Sequence, residues 1–322
     1  TVNLSFPKVQ RPGEIELLAT AQNKQPYTKK IDVKIVNQPY LILNNTTFHD
    51  STGNVDGKVD YGETVGLDVV LKNVSDSFAA YNVTDSLYTS DPYIKLTEYY
   101  KQCGKVKPDT LSEKIRGFEF TVSDSVEDQH KAVINMDITA EDGQGTQYLW
   151  HSKFRFTIDA PSLKIGDLIL DDGPGGNNSL DPGETVDLHT VIHNEGHSSV
   201  KNVKGIINIR NDRDYLVVNE SQDETKLIEA ETSDTITFRI TADPDSPEGA
   251  PLYWRINVSG GTESQYRASD RKRIILGTPP TYRISKGDTI HTNYGLFFDS
   301  GGANENYGND EYSKITFKPA DK

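Results

Sequence analysis

The chain has 322 residues and a formal net charge of −14, from 48 acidic and 34 basic side chains. This excess of acid disfavours a nucleic-acid-binding protein, because neutralising phosphates requires surplus lysine and arginine. No run of about 18 apolar residues occurs, so the sequence predicts no membrane-spanning helix. The length is typical of two or three domains, and 34% hydrophobic residues allow each of them a buried core.

Cys103 is the only cysteine, so no internal disulfide can form. A eukaryotic extracellular array of this length would usually carry several disulfides. The composition therefore indicates the cytosol, or a secreted bacterial protein that does without bridges. No signal peptide follows Thr1, and the final SKITFKPADK is typical of a strand just completed. We expect an internal fragment of a longer protein.

Residues 1–37 contain three strand-like runs, at Val2–Phe6, Glu14–Ala21 and Tyr27–Val36, with proline- and glycine-containing breaks between them. Three strands are too few for a β-sandwich. We therefore expect residues 1–37 to be the C-terminal part of an immunoglobulin-like domain.

One stretch then occurs twice, as DGKVDYGETVGLDVVLKN at 56–73 and as NNSLDPGETVDLHTVIHN at 177–194. An acidic, glycine-containing turn leads into an alternating apolar run, which is typical of a half-buried strand. Flanking segments also correspond, with an offset that stays between 118 and 122 residues, so one fold is used twice.

Each copy contains about seven short strands and no helical pattern, which predicts an all-β chain of tandem immunoglobulin-like β-sandwiches. The repeats are predicted at 38–160 and 161–277. The Cys-Trp-Cys spacing of antibody domains is absent. A stiff Thr-Pro-Pro linker opens residues 278–322, which are expected to begin a further β domain, with strands at Tyr282–Ile284, Gly295–Phe298 and Lys314–Phe317.

The first acidic turn spaces oxygen ligands like a calcium loop. Asn54, Asp56, Asp60 and Glu63 would occupy positions 3, 5, 9 and 12, but Thr52 stands where position 1 requires Asp. The second turn offers Asp172, Asp181 and Glu184 at less regular spacing. The alternative is a surface turn, where Gly and Asp supply left-handed and self-bonding conformations. Calcium is the only cofactor that the sequence suggests.

Other candidate residues favour structural interpretations. His189, His193 and His197 lie four apart, but four residues of strand span about 13 Å, too far for one zinc ion. Cys103 has no base or oxyanion site near it in sequence, as a nucleophile requires, and is predicted to be a loop thiol. No catalytic residues are predicted. A tyrosine cluster suggests either a sugar-binding surface or ordinary strand tyrosines. Its members are Tyr88, Tyr93, Tyr99 and Tyr100.

Several stretches resemble the region after the catalytic domain of gingipain-type cysteine peptidases. The run Pro12–Tyr27 is similar to the end of their immunoglobulin-like domain, and the two repeats look like the additional modules of large secreted relatives. Gly295–Gly302 with Asn306–Asn309 looks like the opening of a CUB-like domain. Short Asp-Ser or Asp-Thr motifs resemble the O-glycosylation signal of the bacteria that carry these peptidases. Those motifs are at Ser51, Ser86, Thr110, Ser125, Thr235 and Thr289.

This resemblance implies a non-catalytic spacer, stabilising or presenting region of a secreted cell-surface peptidase in a gram-negative bacterium. The implied partner is an upstream catalytic domain in the same polypeptide, with export by a type IX secretion signal beyond Lys322. The alternative is an adhesin or glycan-binding array, whose partner would be a protein or glycan ligand. Exposed aromatic platforms would favour this second interpretation. An enzyme within the fragment is disfavoured, because no paired catalytic groups are present.

Overall fold

The computed structural model describes residues 13–33, 37–50, 53–209, 215–284 and 287–320. All regular elements in these ranges are β-strands, and none of these residues belongs to a helix that could cross a membrane. The described chain divides into two compact units. The first takes the residues up to Val59, Glu63–Val122 and Lys131–Phe156, and the second takes Asp60–Gly62, Ser123–His130 and Thr157 onward.

Ten strands precede the second repeat. They are β1 (Gly13–Ala19), β2 (Tyr27–Val33), β3 (Leu41–His49), β4 (Thr64–Asn73), β5 (Ala80–Tyr88), β6 (Ile94–Glu98), β7 (Tyr100–Val106), β8 (Ile115–Val122), β9 (His130–Glu141) and β10 (Gln147–Ile158). β3 to β10 form two four-stranded sheets, in the orders β3-β4-β8-β6 and β10-β9-β5-β7.

The second repeat has eight strands with the same order. They are β11 (Leu163–Asp171), β12 (Thr185–Asn194), β13 (Val200–Ile209), β14 (Leu216–Glu220), β15 (Gln222–Ile228), β16 (Ser233–Ala242), β17 (Pro251–Gly260) and β18 (Tyr266–Ile275). The sheets are β11-β12-β16-β14 and β15-β13-β17-β18. In both repeats the first, second, sixth and fourth strands form one sheet, and the fifth, third, seventh and eighth form the other. The predicted tandem immunoglobulin-like β-sandwiches are therefore confirmed.

Eight strands replace the expected seven because one extended segment crosses between the sheets. A single residue, Tyr99, separates β6 from β7, and Ser221 separates β14 from β15. The Ser221 carbonyl accepts the N–H of Ile207 in β13 at 3.0 Å. No turn residue marks either crossing, so the sequence pattern shows one strand where the structure has two.

The alternating residues of the repeated strand form the cores. Val65, Leu67, Val69 and Leu71 of β4 are at most 1% exposed. Val186, Leu188, Thr190 and Ile192 take the same places in β12 and are equally buried. Leu188 lies opposite Phe238 of β16, and full burial of such side chains contributes about 1.5–3 kcal/mol each.

A buried asparagine ends each repeated strand. Asn194 donates from Nδ2 to the carbonyls of Ser198 at 2.8 Å and Glu229 at 3.1 Å, while its Oδ1 accepts the N–H groups of Ser162 and Gly196, both at 3.1 Å. Asn73 makes the corresponding bonds in the first sandwich. Its Nδ2 donates to the carbonyls of Phe78 and Val106, and its Oδ1 accepts the N–H groups of Tyr40 and Ser75. Each amide thereby satisfies several loop backbone groups at once.

The remaining strands lie at the two ends of the described chain. β1 and β2 form an antiparallel hairpin in which Gly13 faces Val33. The predicted strand Val2–Phe6 lies outside the described residues. Near the C-terminus β19 (Thr281–Arg283) pairs in parallel with β21 (Leu296–Phe298), and β20 (Thr289–His291) with β22 (Thr316–Lys318). The division into four domains and the CUB-like assignment stay predictions.

Candidate ligand-binding face

The first predicted calcium loop uses its side chains to hold its own backbone. Glu63 is buried and its Oε1 accepts the N–H of Asn54 at 3.2 Å. Asn54 Oδ1 accepts the N–H of Asp56, and Asp56 Oδ1 accepts that of Lys58 at 2.9 Å. Only glycine fits at position 53, because the Cβ of any other residue would collide with the Glu63 carboxylate. Asp60 is also buried and belongs to the second compact unit.

The second acidic turn has the same kind of organisation. Asp172 Oδ2 accepts the N–H groups of Asn177 at 2.6 Å and Asn178 at 3.0 Å. Asp181 Oδ2 accepts from the Asn177 side chain at 2.9 Å, and Glu184 Oε2 accepts the N–H of Asp181 at 3.0 Å. Carboxylates that bond their own loop in this way fit the surface-turn interpretation.

Calcium binding at these loops stays a prediction. Within the ranges that the structure describes, no three His, Cys, Asp or Glu side chains are grouped so that they could hold a metal ion, and Thr52 lies outside those ranges. If calcium binds, the melting temperature measured in millimolar calcium will exceed that measured in EDTA. Equal melting temperatures in the two buffers would rule the site out.

The three histidines lie apart on the second sandwich. His189 Nδ1 is 2.9 Å from Thr237 Oγ1, and His197 Nδ1 is 2.8 Å from Asp128 Oδ2. The hydrogen bond and charge of Asp128 raise the pKa of His197. His193 is half-buried beside Gly166, where a Cβ would lie 2.5 Å from His193 Nε2. Their separate contacts make them independent side chains.

Cys103 lies in β7 and not in the loop that the sequence predicts. Burial, and then the negative charge of Asp85, raise the pKa of its thiol to about 11. A nucleophilic cysteine needs the opposite shift, because the thiolate is the reactive form. Cys103 is therefore a protonated, half-buried side chain near neutral pH.

The tyrosine cluster is a patch of separate rings. Tyr88, Tyr99 and Tyr100 are each about half exposed, whereas Tyr93 is partly buried. No ring–ring contact joins any two of the four among the described residues.

A cavity of about 710 Å³ opens on the outer face of the second sandwich. Strands β13, β17 and β18 form its floor, because alternate residues of each strand point away from the core. Trp254 and Ile256 are buried on the inner side, so Tyr253, Arg255 and Asn257 point outward between them. The lining residues are Asn208, Ile209, Tyr253, Trp254, Arg255, Asn257 and Arg271.

The strand register brings two arginines together in this cavity. Arg255 of β17 lies directly opposite Arg271 of β18 and opposite Asn208 of β13 on its other side. Facing residues of an antiparallel pair have Cβ atoms about 4.5–5.5 Å apart. Neither guanidinium has a hydrogen-bond or ion-pair partner elsewhere in the described part of the chain. A like-charge pair of this kind destabilises the sheet by on the order of 0.5 kcal/mol.

We call the outward side chains of β13, β17 and β18 the arginine face. It extends beyond this cavity. Asn257 is shared with an adjoining cavity of about 400 Å³, and its Oδ1 accepts the hydroxyl of Ser269 at 3.0 Å. Lys204, Arg267 and Arg273 are the other cations of the three strands on this side. A chain of net charge −14 thus places these five cations on the outward side of three neighbouring strands, where Glu224 of β15 lies opposite Lys204.

The first sandwich carries no such concentration at the matching positions. The repeat offset aligns Asn135 with Arg255 and Asp137 with Asn257, and it aligns Lys153 with Arg271. The shared fold therefore does not require arginines on this sheet. The sequence did not reveal the site, because Arg255 and Arg271 meet only through the β17–β18 register. The signal present in the sequence was the arginine at three of four alternate positions, 267, 271 and 273, in RASDRKR (267–273).

Comparisons with known proteins add little to this description. No family model matches the chain, and no curated protein sequence matches it. The C-terminal domain of the Streptococcus agalactiae AgI/II polypeptide BspA is similar over 72% of this chain and 99% of that chain, with 11% identity and a TM-score of 0.30. The ASH/PapD-like domain 7 of human CEP192 is similar over 36% of this chain and 84% of that chain, with 12% identity and a TM-score of 0.24. Similarity this low carries no argument about function, and the gingipain-type resemblance stays a prediction.

Proposed function

We propose that this chain is a non-catalytic, glycan-binding β-sandwich array of a bacterial surface protein, and that the arginine face is its contact surface. The observation that carries the proposal is the cavity over β13, β17 and β18, where an exposed tyrosine stands beside amide and guanidinium groups. Ligand sites combine a concave apolar surface with a few converging polar groups that fix orientation.

Two features of the face suit a sugar. Tyr253 is 50% exposed and offers a flat ring for the apolar face of a pyranose, while Asn208 and Asn257 can each donate to and accept from hydroxyl groups. A sheet face also holds these groups more rigidly than a loop does, since each strand is hydrogen-bonded to its neighbours.

Binding of the chain to a printed glycan array tests the proposal. We expect the wild-type chain to bind a subset of glycans, and Tyr253→Ala to weaken that binding by about tenfold or more, since buried aromatic contacts dominate binding energies. Tyr100→Ala is the matched control, because Tyr100 is also 50% exposed but lies on the first sandwich. Absence of glycan binding, or equal losses in the two variants, would contradict the proposal.

A second candidate is an accessory region of a gingipain-type cysteine peptidase, favoured by the Gly295–Gly302 stretch and the repeated Gly-Glu-Thr-Val turns. In that case the array would present the upstream catalytic domain at the outer surface of a gram-negative bacterium. Sequencing of the reading frame before Thr1 and assay of the longer product distinguish the two. A peptidase activity that alkylation abolishes would support the second candidate, and further β repeats without activity would overturn it.

A further inference from the structure

We infer that the ligand of the arginine face is an acidic oligosaccharide whose carboxylate is held between Arg255 and Arg271. This inference rests on the proposed glycan-binding function and adds the chemistry of the sugar. Without a bound anion, the facing pair of guanidinium groups destabilises the sheet, because like charges repel each other across the two strands. An anion between them removes that repulsion.

Protection of a sheet edge does not explain the pair. β18 is an edge strand, and charged side chains on an edge prevent pairing with another chain. That accounts for arginines on β18 alone. Arg255 lies on β17, which is paired on both sides by β13 and β18, so its charge has no part in edge protection.

The geometry of the row fits a carboxylate. A guanidinium presents a planar fork of N–H donors that matches the two oxygens of a carboxylate, and such bonds are about twice as strong as neutral ones. Asn208 continues the row beyond Arg255, where it can bond a ring hydroxyl. Tyr253 lies two residues along β17, so the sugar ring can lie against it while its carboxylate reaches the arginines.

The charge of the whole chain argues for a sugar with one or a few carboxylates over a long polyanion. The net charge is −14, so a nucleic acid or a heavily sulfated polymer would be repelled wherever it extended beyond the arginine face. The cavity of about 710 Å³ and the adjoining one of about 400 Å³ have room for a short oligosaccharide.

Isothermal titration with paired probes tests the inference. The first pair is 3′-sialyllactose and lactose, and the second is trigalacturonate and its methyl ester. We expect at least one acidic probe to bind about tenfold or more tightly than its neutral partner, with an affinity that falls as salt is added. Sulfated oligosaccharide and single-stranded DNA are included to identify a general anion site.

Substitutions locate the binding. Arg255→Gln and Arg271→Gln each remove one guanidinium, and each should lower acidic-probe affinity about tenfold without changing the neutral probe. Lys153→Gln is the matched control, because it makes the same charge change at the aligned position of the first sandwich. Arg271→Gln should also raise the melting temperature of the unliganded protein and reduce the rise that the acidic probe produces.

The outcomes separate the inference from the proposed function. If neutral and acidic probes bind equally, or if the arginine variants retain full affinity, the inference is overturned while glycan binding stands. Stronger binding of sulfated sugar or DNA than of carboxylated sugar overturns it in favour of a general polyanion surface. If no glycan of either kind binds, both are wrong.

Discussion

At the scale of single residues, Asp85 is the least expected side chain. It is 0% exposed in β5, and neither carboxyl oxygen has a hydrogen-bond partner among the described residues. Desolvation by this burial raises its pKa to about 7. The repeat aligns it with Gly205, where a Cβ would collide with Ile236, so the second sandwich fills the same space with an apolar side chain. The alternation of Val83, Asp85 and Leu87 places Asp85 on the buried side of β5, although an aspartate is typical of an exposed position.

Asp85 should make the stability of the first sandwich depend on pH. Its pKa is near 7 when folded and near 3.8 when unfolded, so the folded state binds the extra proton. Its stabilising contribution is complete below about pH 4 and is lost as pH rises through about 7, a change on the order of 4 kcal/mol at most. In urea unfolding, Asp85→Asn should match wild type below about pH 4 and exceed it by a growing margin as pH rises to 9. Asp137→Asn, on the same sheet, is the control, and parallel pH profiles for Asp85→Asn and wild type would show that Asp85 does not carry this dependence.

At the scale of elements, period-2 patterns in the sequence were sufficient to predict those strands that have one buried face. β4 and β12 were predictable because an alternating run fixes which residues enter the core. The crossings at Tyr99 and Ser221 were not, because they contain no glycine or proline and the chain stays extended through them. The arginine face was missed for a related reason. Facing residues depend on strand register, and the β17–β18 register is set at the Gly261–Gln265 turn, 6 to 10 residues from the two arginines.

The repeated asparagine at the end of the long strand belongs to this scale, since it stabilises loops and not a catalytic site. Asn194→Ala removes five hydrogen bonds and leaves buried backbone groups without partners. We expect the free energy of unfolding to fall by about 3 kcal/mol or more, because each unsatisfied buried group costs about 1–3 kcal/mol. Urea denaturation measures the change. Asn219→Ala, on the exposed part of β14, should cost less than about 0.5 kcal/mol, and a similar loss in both variants would refute the assigned role.

At the scale of the whole molecule, the second sandwich contains everything that its core and the arginine face need. Its buried core residues all lie between Ile165 and Leu276, and the face extends from Lys204 to Arg273. Residues 60–62 and 123–130 belong to the same compact unit, within which the Tyr61 ring lies 5.1 Å from that of Tyr266. The repeat boundaries at 161 and 277 stay predictions, drawn from the proline and alternating strand near the start of each repeat and from the Thr-Pro-Pro linker after Gly277.

Residues 161–277 expressed alone should therefore fold cooperatively. Thermal unfolding should show one transition, at a lower temperature than in the full chain because the contacts of Tyr266 with Tyr61 and with the Val126 carbonyl are lost. Affinity for any glycan that binds the full chain should be unchanged within about twofold, since no lining residue is removed. A fragment without a cooperative transition would show that the compact unit requires the segments at Asp60–Gly62 and Ser123–His130.

The segment that crosses at Ser221 has a further consequence. β14 and β15 are one continuous run of chain at the edges of both sheets, so the sheets cannot separate at this edge unless β14 or β15 leaves its partner strand. We expect opening at this edge to involve both sheets, so that amide hydrogens of β16 and β13, which pair with β14 and β15, exchange with similar slow kinetics. A sugar that occupies only the arginine face would slow exchange on the opposite sheet as well, and would lengthen the time that the whole domain survives a protease.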